Sequence, residues 1–177
     1  MGLFSKKKQM VEYDKVESER QKKIMREIFN EAVSEGETYQ IFLATELSSK
    51  YEKGLFLDTN TTTYYYYIFG FREKDKKMFM VQVDPELVNY SHPIAIEVDT
   101  LKDISFNKKY DEVCLEYKKE VGMFGEVMKI HDYGKKTMGG ISNLYQETER
   151  NAFLDFLEDV RKEMTENGYT LSKWKRE

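Results

Sequence analysis

The chain has 177 residues and a formal net charge of -4, with 34% charged and 14% aromatic residues, including 13 Tyr and 11 Phe. This length and aromatic content suit one domain with a packed interior and exclude disorder as the default state. The single cysteine, Cys114, excludes an intramolecular disulfide, and every apolar run falls far short of the ~20 residues that a membrane-spanning helix needs.

Residues Met1 to Glu12 read as an arm with a small apolar tip, Leu3 and Phe4, followed by Lys6, Lys7 and Lys8. No apolar signal core follows these lysines, so a cytoplasmic protein without a removed leader is expected. Ser5 falls one place before the hydroxyl position of a myristoylation signal, and that motif fails. From Asp14 to about Ser34 the pattern is helical: Ile24, Ile28 and Ala32 form one row, with Met25, Phe29 and Val33 beside it. The first half of this segment, Lys15 to Lys23, is nearly all charged or polar and is expected to project into solvent, and Gly36 is expected to close the helix.

Tyr39 to Leu47 reads as a strand with Tyr39, Ile41, Leu43, Thr45 and Leu47 on one face, followed by a polar turn over Ser48 to Gly54 and a short apolar piece, Leu55 to Leu57. Thr61 to Phe71, dominated by Thr, Tyr, Ile and Phe, is the strongest strand, and Glu73 to Lys77 turns it back into Met78 to Val83. Asp84-Pro85 ends that pairing, because proline has no amide to donate to a ladder. Beyond His92-Pro93 come short strands at Ile94 to Val98, Asp103 to Phe106, Glu112 to Tyr117 and Glu126 to Ile130, with a further piece near Ile141 to Leu144 after a glycine-rich loop. The last element, Gln146 to Met164, is an amphipathic helix with Phe153, Phe156, Leu157, Val160 and Met164 at spacings of three and four, Thr148 as its expected N-cap and Gly168 as its stop. The organisation is therefore an arm and helical extension over 1–35, a β domain with its terminal helix over 36–168, and a basic tail over 169–177.

The candidate sites are few. In the Tyr64 to Tyr67 run, alternation allows at most two rings on one surface, so core and sheet packing is preferred to a stacking platform. His92 and His131 lie in no spacing that recruits a second metal ligand, no nucleophile elbow or phosphate loop is present, and Cys114 reads as a half-buried apolar side chain. The expected protein is thus not an enzyme and carries no cofactor or metal. Residues 1–26 hold eight Lys and Arg against four Asp and Glu, and residues 171–177 hold three against one, which leaves an acidic central body that repels nucleic acid. The contact residues to consider are therefore at the ends: Leu3, Phe4, Lys6, Lys7 and Lys8 in the arm, and Lys173, Trp174 and Lys175 in the tail. Each lysine contributes about 1 kcal/mol near an anionic surface, which for three is marginal by itself.

A meander of long antiparallel strands, a second set of shorter ones that includes Leu101-Lys102-Asp103-Ile104-Ser105-Phe106, and a capping terminal helix together resemble the pleckstrin-homology-like (PH-like) fold, in particular its small bacterial modules. The resemblance implies an α+β protein: an N-terminal helix, an antiparallel β-roll or barrel of about seven strands, and a C-terminal capping helix. It also implies protein interaction or assembly more than lipid recognition, since Ser48 to Gly54 offers only Lys50 and Lys53 with Glu52 between them, and the only Trp lies beyond the helix. Two other readings remain: a peripheral protein held to an anionic inner membrane surface by the basic arm, and a small-ligand protein or enzyme with a pocket between sheet and terminal helix.

Overall fold

The computed structural model describes residues 14–52, 59–109, 112–118, 127–132 and 144–174. Its elements are helix α1 (Lys15–Ala32), strands β1 (Gln40–Glu52), β2 (Thr59–Arg72), β3 (Lys77–Val83), β4 (Ile94–Ile96), β5 (Leu101–Asn107), β6 (Glu112–Tyr117) and β7 (Val127–Asp132), and helix α2 (Glu147–Glu166). The seven strands form one antiparallel sheet in the order β4-β3-β2-β1-β7-β6-β5. Two meanders, β1 to β4 and β5 to β7, are joined where β7 returns to pair with β1 at Ala44 and Thr45. The layout is the expected α+β one, with a helix before and a helix after a roll-like sheet.

Asp14 starts α1 by accepting the amides of Val16 and Glu17 at 3.0 and 3.1 Å, which removes two of the unpaired donors of the first turn. Met25, Ile28 and Phe29 then bury on the sheet with Val33, Tyr39, Ile41, Leu43, Tyr66, Ile68 and Val81. The opposite face of β1 and β2, carrying Phe42, Ala44, Tyr67, Phe69 and Phe71, packs with β5, β6, β7 and α2 in a second, larger core. Both faces of this part of the sheet are covered, which is why Ile41 to Ala44 is an unbroken apolar run rather than an alternating one. Phe153 of α2 lies 4.5 Å from Phe42 and 5.4 Å from Phe71, ring centre to ring centre, and Phe156 lies 5.2 Å from Phe71.

Several local expectations are corrected. The first half of α1 does not project freely: Ser18 and Gln21 are buried, the Ser18 hydroxyl accepts the Tyr145 amide at 3.0 Å, and Lys22 pairs with Glu149 at 2.5 Å. The helix ends before Gly36. Glu35 takes the left-handed conformation (φ 57°) while its carboxylate accepts from Arg72 at 3.0 Å, and Gly36 is required for space, because a Cβ there would sit 2.7 Å from the Asn30 Cα. Ser48 to Glu52 is not a turn but the continuation of β1, paired rung by rung to Thr63 through Thr59. Val98 belongs to a 3-10 turn rather than to β4. Thr148 lies inside α2; Gln146 stands at the N-cap and uses its side chain elsewhere. Leu144 is a core residue in a connecting segment, not a strand residue. Gly168 does end α2: at φ 89° it lets its own amide reach the Thr165 carbonyl and that of Tyr169 reach the Met164 carbonyl. The apolar piece Leu55 to Leu57, the glycine-rich loop and the piece that begins at Ile141, up to residue 143, lie outside the described residues.

Candidate functional site

The inner face of β1 and β2 changes chemistry along its length. Phe42, Ala44 and Glu46 follow one another on that face of β1, and opposite them on β2 stand Phe69, Tyr67 and Tyr65. The apolar wall therefore ends in a carboxylate flanked by phenols. The Tyr67 hydroxyl donates to Glu46 Oε2 at 3.2 Å, and burial, reinforced by that carboxylate, pushes the Tyr67 phenol well above its usual range. Tyr117, the last residue of β6, faces the same core and is 7% exposed. Burial, with a contribution from the charge of Glu46, pushes its phenol up to about 12, and among the described residues its hydroxyl has no hydrogen-bond partner. Tyr65 is 36% exposed. Of the Tyr64 to Tyr67 run, two rings thus share the inner face, while Tyr64 and Tyr66 pack toward α1.

Beyond this point β1 and β2 continue as a two-stranded ribbon. Seven rungs, from Glu46 opposite Tyr65 to Glu52 opposite Thr59, extend past the last β2–β3 pair at Tyr66 and past the β1–β7 pairs at Ala44 and Thr45. At the rise of an extended chain this is roughly 24 Å of ribbon. Among the described residues no third strand pairs with it. The β1 side carries Glu46, Lys50 and Glu52, whereas Thr59 to Tyr65 holds no charge, no proline and no glycine. Thr62 and Tyr64 make further interactions of their own, so the open feature is the strand edge rather than those side chains.

On the near side of the β1–β7 junction, the β1 edge is closed by a side chain. Gln146 donates through Nε2 to the Leu43 carbonyl at 2.6 Å and accepts the Leu43 amide at 2.8 Å, imitating a strand partner next to the Ala44–Asp132 pair of β1 and β7. Next to it lies a cleft of about 250 Å³ lined by Lys22, Met25, Arg26, Gln40, Ile41, Gln146 and Glu149. Its cations are already engaged: Lys22 with Glu149, and Arg26 with the carbonyls of Gly36 and Tyr39.

The residues singled out in the sequence are placed as follows. Lys173 is exposed. Trp174 is built into the molecule: its backbone bridges to Phe106 of β5, its ring lies 5.5 Å from that of Phe106, and its Nε1–H donates to Glu158 at 2.5 Å. Leu3, Phe4, Lys6, Lys7, Lys8 and Lys175 lie outside the described residues. His92 is exposed, and His131 Nε2 lies 3.2 Å from Glu112 Oε2 across the β6–β7 pair. The Cys114 thiol contacts Glu112 Oε1 at 3.4 Å and is pushed up to about 11 by burial and then by that carboxylate. Among the described residues no group of three or more His, Cys, Asp or Glu is placed to hold a metal ion, and no helix is long and apolar enough to cross a membrane.

The phenol and carboxylate cluster and the open ribbon were missed as a site in the sequence. Strand alternation places Tyr65 and Tyr67 together, but only the register with β1 puts Glu46 between them. The chain matches no protein-family model, no curated protein and no solved structure.

Proposed function

We propose that this protein is a non-enzymatic assembly module of PH-like layout that pairs with a second copy of itself through the free edge of β2. The PH-like reading draws support from the order of the elements, two antiparallel meanders followed by a helix across the inner core. The assembly reading is carried by one observation, the uncharged edge Thr59 to Tyr65 on a ribbon that no described strand flanks. Natural edge strands are blunted by lysines, prolines, bulges or shortness, and this one has none of these. An isolated two-stranded ribbon is marginal in water, so a third and fourth strand would stabilise it. A two-fold axis across the edge would bring Thr59 to Tyr65 antiparallel to its copy with no like charges opposed.

The test is light scattering over a range of concentrations on the native chain and on the double variant Thr61→Lys/Thr63→Lys. Both threonines are exposed, so the variant should fold as the native chain does. The native chain should associate and the variant stay monomeric, because the added lysines would face their copies across the axis. A native chain that is monomeric throughout, or an oligomer indifferent to the two lysines, refutes the reading.

A further inference from the structure

The inner-face cluster at the root of the ribbon holds two anomalies that packing does not explain. Glu46 is a half-buried carboxylate among aromatic rings, and no Lys or Arg pairs with it among the described residues. A carboxylate that accepts one hydrogen bond and faces no cation keeps lone pairs to offer to a further donor. Tyr117 is a buried phenol whose hydroxyl oxygen has no partner among the described residues, although buried polar groups nearly always have one. Both groups face the same core as Tyr67, and Tyr65 stands opposite Glu46 at the solvent side.

We propose that Glu46, Tyr65, Tyr67 and Tyr117 form a recognition site for a cationic nitrogen, an alkylammonium or a guanidinium group. Such a cation answers both anomalies at once. Its N–H groups donate to the free lone pairs of the Glu46 carboxylate and to the Tyr117 oxygen, while the Tyr67 hydroxyl keeps its bond to Glu46 Oε2. The tyrosine faces add the attraction of their ring quadrupoles for a desolvated cation. An anionic ligand is excluded by Glu46, and a neutral apolar one would leave both polar groups unanswered. The inference goes beyond the assembly reading, because it names a chemical group and needs no second copy of the chain.

The experiment follows the tyrosine ring resonances of the full chain, with labelled tyrosine, during titration with n-butylammonium chloride. A parallel titration uses a short extended peptide bearing one central lysine, and butyrate and n-butanol serve as controls. Saturable shifts at Tyr65, Tyr67 and Tyr117 with the amine or the peptide, and none with the controls, are expected. Comparable binding of both points to a free amine, and much tighter peptide binding to a lysine on a protein partner. Glu46→Gln should weaken binding about tenfold or more, as expected for loss of a charge-assisted bond. Tyr117→Phe should weaken it several-fold while leaving stability unchanged or raised, since the lost hydroxyl had no partner. No shifts with either cation up to about 0.1 M, a limit that covers millimolar dissociation constants, would overturn the proposal. So would binding unaffected by Glu46→Gln, or loss of stability in Tyr117→Phe. The site lies within one copy of the chain, so the titration of the native chain and the light scattering of Thr61→Lys/Thr63→Lys are independent readouts, and failure of the assembly reading and failure of this one are separable.

Discussion

Gln146 is the residue on which the connection between sheet and α2 turns. It is 1% exposed, and its side-chain amide satisfies both backbone groups of Leu43. Replacement by leucine keeps the bulk but leaves a buried donor and a buried acceptor without partners, at about 1–3 kcal/mol each. Gln146→Leu should therefore lose about 2–6 kcal/mol in urea unfolding, and a loss below about 1 kcal/mol would mean that water or another group replaces the amide. Cys114 makes a prediction in pH. Folding raises its pKa from 9.0 to about 11, so the thiol proton is held more tightly in the folded chain. Its contribution to stability is full below about pH 9 and declines as pH rises through about 11, and Cys114→Ala should remove that part of the slope. At pH 8 the native thiol is therefore ionised less often than the unfolded one, and since the thiolate is the nucleophile, thiol reagents should label the native chain far more slowly than the unfolded one. Equal rates would contradict the burial of Cys114.

At the scale of elements, the docking of α1 depends on Gly70. A Cβ at this position of β2 would lie 2.0 Å from Phe29 Cζ, so the phenyl ring of α1 rests directly on the strand backbone. Gly70→Ala should cost about 2 kcal/mol or more through overpacking, and Phe29→Leu in that background should recover part of the loss. Additive losses in the double variant would show that the two residues are not in contact. Here the sequence was a partial guide. The stripe of Met25, Ile28 and Phe29 was legible in its spacing, because helical periodicity survives in any amphipathic helix. The burial of Ser18 and Gln21 was not legible, because it depends on the chain returning to α1 at Leu144 and Tyr145, more than a hundred residues later. The strands were readable where β-branched and aromatic residues accumulate, as in β2. The continuation of β1 through Ser48 to Glu52 was not, because polar residues that form a ribbon without an apolar face look like a turn. Thr148 failed as an N-cap for a related reason: the helix start is fixed by the tertiary bond of Gln146, which outweighs local capping preference.

For the whole molecule, α1 and α2 bury opposite faces of β1 and β2, and the tail closes over β5, where Ser172 donates its amide to Asp103 at 2.9 Å and Trp174 covers Phe106. One end of the long hairpin is thus enclosed while the other runs on as the ribbon. The fold class and its order of elements were written in the pattern of apolar residues, whereas the candidate site was not, since it arises from the register between strands some twenty residues apart. Backbone amide hydrogen exchange across β2, at low and high protein concentration, tests assembly through this ribbon most directly. Pairing through the free edge predicts that amides within Thr59 to Tyr65 exchange more slowly as concentration rises, while those of Tyr66 to Arg72, already flanked by β3, do not change. Exchange over Thr59 to Tyr65 that is fast and independent of concentration would contradict it.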